Sequence, residues 1–312
     1  MPGPLSLPGR APLHGLDLDW VRRAGIELAV LRLDRVDPEL SGNKWFKLSH
    51  HLQAAAASGA SGLISLGGAH SNHLHALAAA GRRFGLATVG LLRGHAVETP
   101  TVADLRRFGM TLHWLGYDGY RQRHRPDFWT PWLDRHPGHH PIPEGGGGLA
   151  GARGCAALVE QVRGQLGEVG LDDYDGWWLA AGTGTTLAGL AIAEAGQRMV
   201  YGALAGPPSH GVVEGVDALL AQTGQVRRPY RLIEASRGGF GRFDQTLARF
   251  LFETEAASGV PLEPVYTAKA LLALREFLQH GGLEPGTRLV FVHTGGLQGR
   301  RAADAELRRL AT

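Results

Sequence analysis

Lys44 stands in the run Ser41-Gly42-Asn43-Lys44-Trp45-Phe46-Lys47-Leu48, just after Gly-Asn and just before a helical stretch. Lys44, Lys47 and Lys269 are the three lysines of a chain whose other 29 basic residues are arginine. The distinction matters because arginine cannot form a Schiff base, whereas a desolvated lysine amine can. Downstream, Gly67-Gly68-Ala69-His70-Ser71-Asn72-His73 follows a short apolar run, and Ala181-Gly182-Thr183-Gly184-Thr185-Thr186 follows another. The second loop opens a helix, where backbone amides flanked by threonine hydroxyls suit a phosphate dianion. It has no lysine and no G-x-x-x-x-G-K-[ST] spacing, which disfavours a nucleoside triphosphate. An amine, a Ser/Asn loop and a phosphate cradle together point to pyridoxal phosphate held as a Schiff base on Lys44.

Each piece alone also has a plainer reading. Lys44 fits an ordinary charge at a helix start, Gly182–Thr186 a tight strand-to-helix turn, and Ser71 a helix N-cap. His70, His73 and His75 are close enough in sequence to suggest metal ligands. A helix beginning near Ser71 would send His73 and His75 to different faces, and no cysteine or acidic residue stands at a fixed spacing beside them. No metal is expected. Cys155, the only cysteine, reads as a small buried helix residue.

These loops need elements to aim them. Strands are expected at Glu27–Leu33, Gly62–Leu66, Thr88–Leu92, Thr111–Leu115, Gly176–Ala180, Arg231–Glu234 and Arg288–Val292. Helices are expected at Lys47–Ala57, Ser71–Phe84, Thr101–Phe108, Leu149–Leu166, Thr186–Ala195, Gly211–Gln222, Asp244–Ser258 and Thr267–His280. This alternation defines an α/β protein with mostly parallel sheet. Gly67-Gly68, Gly182-Thr183-Gly184 and Gly295-Gly296 each follow a strand, at the carboxyl end where open parallel sheets bind ligands. The stretch from Tyr117 to Pro143, rich in Trp, Arg, His and Pro, reads as a hinge between two lobes. The smaller lobe would be an insertion, residues 48–140, in a larger one made of residues 1–47 and 141–312.

The chain has 312 residues, 44% hydrophobic and 20% charged, which is ordinary globular composition and enough to bury a large core. Its 46 glycines cluster after apolar runs without a period, fitting tight loops and not a fibre. A pI of about 9.2 accompanies a net charge of only +3 with scattered arginines, so no nucleic-acid partner is expected. Pro2, Pro4, Pro8 and Pro12 interrupt the N-terminus, which lacks the apolar core of a signal peptide. No segment approaches the roughly 18 apolar residues of a membrane span. A cytoplasmic location without a membrane partner is expected.

Taken in order, Ser41-Gly42-Asn43-Lys44 with Lys47-Leu48, Gly67 to His73, Pro143-Glu144-Gly145-Gly146, Gly182 to Gly189, Glu263-Pro264-Val265-Tyr266-Thr267-Ala268-Lys269 and Phe291-Val292-His293-Thr294-Gly295-Gly296 span most of the chain. This series resembles the aminocyclopropane-carboxylate deaminase and D-cysteine desulfhydrase family, fold type II pyridoxal-phosphate enzymes akin to the tryptophan synthase β subunit. The resemblance implies that Lys44 carries the cofactor, Ser71 supplies a hydroxyl near the substrate, and Asn72 contacts the ring oxygen. It further implies that Gly182, Thr183, Gly184, Thr185 and Thr186 hold the phosphate, Tyr266 faces the substrate and Thr267 meets the pyridine nitrogen. Deaminase members generally carry Glu at the position of Thr267, and desulfhydrase members carry Thr. Two positions depart from the family: Phe240, in Gly239-Phe240-Gly241, replaces a second active-site tyrosine, and His70 stands where Gln is common.

The expected activity is that of a pyridoxal-phosphate lyase, D-cysteine desulfhydrase-like. It would eliminate a β-substituent from a small amino acid and release a keto acid and ammonia, and a homodimer is expected. Three alternatives remain open: an aminocyclopropane-carboxylate deaminase, a β-replacement synthase, and a cofactor-binding relative without turnover.

Overall fold

The apolar runs build two separate sheets in a computed structural model that describes residues 8–224 and 229–312. Pro2 and Pro4 lie outside the described residues. In chain order the strands are β1 (Leu13–Gly15), β2 (Glu27–Arg32), β3 (Gly62–Gly67), β4 (Ala87–Leu92), β5 (Thr111–Trp114), β6 (His139–Pro141), β7 (Gly176–Ala181), β8 (Met199–Leu204), β9 (Tyr230–Glu234) and β10 (Arg288–His293). One sheet has the order β1-β2-β10-β7-β8-β9, the other β5-β4-β3-β6. Only β1 runs antiparallel, against β2; every other pairing is parallel. Among the described residues no helix is long and apolar enough to cross a membrane.

Parallel strands covered on both faces read as continuous apolar runs, and β7 shows why. Its adjacent Trp177 and Trp178 are fully buried on opposite faces, as the two-residue period of a strand requires. Trp177 Nε1 donates to Glu194 Oε1 at 2.7 Å, and Trp178 Nε1 donates to the Ala270 carbonyl at 2.7 Å, so both indole donors are satisfied inside the core. Each tryptophan thereby ties the central sheet to the helical layer on its own side.

The strands that the sequence pattern misses are β1, β6 and β8. β1 and β6 are three-residue edge strands, too short to show a period, and β6 ends in a proline. The run of β8 is interrupted in its middle by Gly202, where a Cβ would lie 2.2 Å from Leu187 Cδ1, so packing against the preceding helix demands the residue that weakens the strand signal. The expected hinge segment carries the helices Gly116–Arg121 and Thr130–Arg135 as well as β6.

Three helices pack closely behind the future site: Asn43–Ala57, Gly148–Arg163 and Thr185–Ala193. A Cβ on Gly154 would lie 1.9 Å from the Phe46 carbonyl oxygen, and one on Gly189 would lie 2.3 Å from that of Ala152. Glycine at these two positions lets backbones meet that any side chain would separate. Cys155 is fully buried in this contact, as its helix position implies.

Candidate active site

The first of these helices begins at Asn43, four residues before the expected start at Lys47. Lys44 therefore lies within its first turn and not ahead of it. Gly42 makes the early start possible, with φ +74° and an absent side chain whose Cβ would be 2.1 Å from the Thr294 carbonyl oxygen. Asn43 N donates to that same oxygen at 3.1 Å. The end of β10 and the turn Thr294-Gly295-Gly296 are thus locked under the lysine-bearing helix.

Lys44 is half-buried, and its amine donates to Asn43 Oδ1 at 2.9 Å. Asn43 in turn donates through Nδ2 to Thr186 Oγ1 at 2.9 Å. One carboxamide thereby connects the amine to the loop after β7. Burial first, and the positive charge of Lys47 second, lower the Lys44 pKa to about 7, against the opposing pull of Cys155 and Glu263. An amine whose neutral form is accessible near neutral pH is available as a nucleophile.

Lys47, on the next turn, is buried and points elsewhere. Its Nζ donates to the Gly145 carbonyl at 3.2 Å and to Thr183 Oγ1 at 3.3 Å, while burial lowers its pKa to about 8. Thr183 and Thr185 share a hydroxyl contact of 3.0 Å. The turn closes through Gly184, with φ +75° and only 2.5 Å between a would-be Cβ and Val216 Cγ2. Beyond it the helix Thr185–Ala193 presents the unpaired amides of its first turn. The Lys47 amine, the hydroxyls of Thr183 and Thr185 and a helix N-terminus meet at this turn. The sequence reading missed Lys47 as a functional group, although its place three residues after Lys44 on one helix face was visible.

Ser71 caps the helix Asn72–Phe84, its Oγ accepting from Leu74 N at 3.1 Å. That bond uses a lone pair and leaves the hydroxyl proton free to be donated. Asn72 accepts from Gln298 Nε2 at 2.9 Å, and Gly296, with φ +88°, passes so close that a Cβ would be 2.7 Å from Asn72 Nδ2. His70 is exposed, His73 Nε2 contacts Ser65 Oγ at 2.8 Å, and His75 Nε2 contacts Asp104 Oδ2 at 3.2 Å. The three histidines therefore do not converge.

Tyr266 is half-buried against the Gly182–Thr186 loop, where a Cβ on Gly182 would be 3.0 Å from Tyr266 Cε1. Burial, aided by the carboxylates of Glu263 and Glu144, raises its phenol pKa, so the hydroxyl keeps its proton. Thr267 begins the helix Thr267–Gln279 and is buried; its Oγ1 donates to the Glu263 carbonyl at 3.1 Å and accepts from Glu263 N at 2.8 Å. Glu263 itself is buried, and its carboxylate accepts from the amides of Val265 at 3.0 Å and Thr267 at 2.9 Å, as well as from that of Tyr266. Burial still raises its pKa despite these three donors. Sequence reading passed over Glu263, because nothing but burial distinguishes it from a surface glutamate. Phe240 stands with its ring 5.8 Å from that of Tyr266 at 70°, more than half exposed.

The structure thus links Lys44 through Asn43 to Thr186, and Lys47 to Thr183 and through it to Thr185, on the same loop, with Tyr266 against Gly182, and Asn72 sharing with Gly42 the Gly295-Gly296 turn. The set fits pyridoxal phosphate on its own chemistry: a nucleophilic amine, a cationic and hydroxyl-lined anion cradle, and a carboxamide at the facing helix start.

Comparison with known proteins points to the same cofactor. The chain belongs to the pyridoxal-phosphate dependent enzyme family, whose profile matches residues 6–295. A putative 1-aminocyclopropane-1-carboxylate deaminase of Pyrococcus abyssi is 28% identical over 290 residues, covering 89% of this chain and 87% of its own length. The mitochondrial bifunctional D-cysteine desulfhydrase/1-aminocyclopropane-1-carboxylate deaminase of Arabidopsis thaliana is 28% identical over 313 residues, covering 92% of this chain and 76% of its own. The crystal structure of an ACC deaminase homologue superposes with a TM-score of 0.86 at 25% identity, covering 99% of this chain and 96% of that one. The fold is that of fold type II enzymes, as the motif series implied.

Proposed function

We propose that this enzyme eliminates a β-substituent from a small amino acid in the manner of a D-cysteine desulfhydrase, with Lys44, Ser71 and Tyr266 as its catalytic groups. Asn72, Gly182, Thr183, Gly184, Thr185, Thr186 and Thr267 hold the cofactor, and Lys47 adds the cation beside the phosphate. When bound, pyridoxal phosphate supplies the electron sink for carbanion chemistry at Cα. Lys44, with a pKa of about 7, can take the Cα proton at neutral pH and return it. Ser71 keeps a free proton for the substrate side, and Tyr266 remains a protonated phenol. The overall balance for D-cysteine is consumption of one water and release of pyruvate, sulfide and ammonia. In the same reading, residues 48–140 form the smaller, inserted lobe.

The observation that carries elimination over cyclopropane opening is Phe240 beside Tyr266. Opening a carbon–carbon bond needs strong acid–base assistance, and this position offers a ring without a hydroxyl. Thr267 adds a neutral group where a carboxylate would deepen the sink. Expelling a good leaving group needs less of both. The names of the Pyrococcus and Arabidopsis relatives favour deaminase activity as the second reading. Keto-acid release from β-chloro-D-alanine, D-cysteine and aminocyclopropane carboxylate decides between them. Turnover of the first two with little of the third supports the proposal; efficient turnover of the third alone overturns it.

A further inference from the structure

Lys269 has no place in the chemistry above, yet it is buried at 1% exposure, which is rare for a lysine. Its ammonium donates to two carbonyls of one loop, Ser236 O at 2.7 Å and Gly239 O at 2.9 Å. That loop is built from conformations that resist ordinary packing: Arg237 has φ +51°, Gly238 +83°, Gly239 +141° and Gly241 +70°. Arg237 is a non-glycine residue in the left-handed region, a strained position that persists only when its surroundings hold it. Arg237 is tied by Asp244 at 2.7 Å and Glu276 at 3.0 Å.

At the tip of this loop is Phe240, 54% exposed, so core packing does not fix its ring. Its ring stands against that of Tyr266, and its Cβ lies 3.6 Å from where a Cβ on Gly206 would be. Tyr266, Thr267 and Lys269 lie within one turn of the same helix start. The segment that lays Tyr266 into the crevice therefore also grips the loop that lays Phe240 against Tyr266.

We propose that Lys269 is a positioning residue: by holding Ser236 O and Gly239 O it sets Phe240 as a wall of the substrate crevice over Tyr266. The inference rests on reading that crevice as the substrate site. Burial lowers the Lys269 pKa to about 8, but a neutral amine still has two N–H donors, so both bonds survive deprotonation. The grip is one of geometry and hydrogen bonding and does not act as a pH switch.

The test compares holoenzymes carrying Lys269→Met, which keeps volume and loses the donors, Lys269→Gln, which restores two N–H donors, Phe240→Ala, and Lys269→Met with Phe240→Ala. Loss of hydrogen bonds from a charged donor corresponds to about a tenfold effect or more. Lys269→Met should speed amide exchange in residues 236–241 by about tenfold while leaving residues 267–279 unchanged. KM for β-chloro-D-alanine should rise about tenfold with kcat within about twofold, because the wall acts in binding. Lys269→Gln should recover most of both effects, and Phe240→Ala should add nothing in the Lys269→Met background. Additive effects, or faster exchange throughout the helix Thr267–Gln279, would overturn the proposal. If Lys269→Met does not fold, Phe240→Ala alone decides: an unchanged KM sinks the wall. Should the parent enzyme turn over no amino acid, the lyase reading fails, while exchange in residues 236–241 still reports on the anchor.

Discussion

Lys44 and Lys47 stand three residues apart on the first turns of one helix and serve different partners: Lys44 Nζ meets Asn43 Oδ1 at 2.9 Å, whereas Lys47 Nζ meets Thr183 Oγ1 at 3.3 Å. In the proposed site this division leaves Lys44 for the carbonyl chemistry and gives Lys47 to the phosphate. The positive charge of Lys47 is also the second cause, after burial, of the low Lys44 pKa.

Replacing Lys47 by Met should therefore weaken pyridoxal-phosphate affinity by about tenfold to a hundredfold, the range for losing a charged hydrogen-bond donor. Fluorescence titration of the apoenzyme measures it. Unchanged affinity would remove Lys47 from the phosphate site.

The three depressed lysines also set a pH dependence. Folded pKa values of about 7 for Lys44 and about 8 for Lys47 and Lys269 lie below the roughly 10.4 of an unfolded lysine. Between those limits the unfolded chain binds more protons than the folded one, so stability of the apoenzyme rises as pH climbs from 7 towards 10. Below pH 7 both states are protonated, and the burial cost is fully present. Thermal melts of the apoenzyme from pH 6 to 10 should show the rise, and Lys47→Met should flatten it. A parent melting temperature that is highest at pH 6 and falls across this range would refute the assignment.

Ser71→Ala should retain the cofactor, because Lys44 and the Gly182–Thr186 loop are untouched. Losing the cap costs about 1 kcal/mol of stability, and losing a positioned proton donor should lower turnover by about 10²-fold. Calorimetry separates the two effects from each other. A variant that stays folded but no longer binds cofactor would make Ser71 a binding residue.

Phe240→Tyr restores a hydroxyl beside Tyr266. Elimination from β-chloro-D-alanine should increase by more than cofactor affinity does, as read by kcat/KM against the pyridoxal-phosphate dissociation constant. Equal changes in both would place Phe240 in cofactor binding.

Much of this was legible in the chain. Strands such as Gly62–Gly67 and Arg288–His293 are continuous apolar runs ending in glycine loops, so their type and the side that carries the site could be read directly. β8 could not, since Gly202 exists for Leu187 and not for its own strand. Lys44 was visible through Gly-Asn-Lys, whereas its low pKa was not, because desolvation is a property of packing. Lys47, Glu263 and Lys269 were hidden for the same reason: a charged residue reads as surface until the fold buries it and supplies its partners. The helix start at Asn43 depended on the Thr294 carbonyl, 251 positions along the chain, which no local signal reports.

The most direct test is borohydride reduction of the purified holoenzyme followed by peptide mapping. The protein should be yellow and its reduced pyridoxyl adduct should lie on Lys44, with Lys47 and Lys269 unmodified. An adduct on either of those two lysines, or none at all, would contradict this assignment.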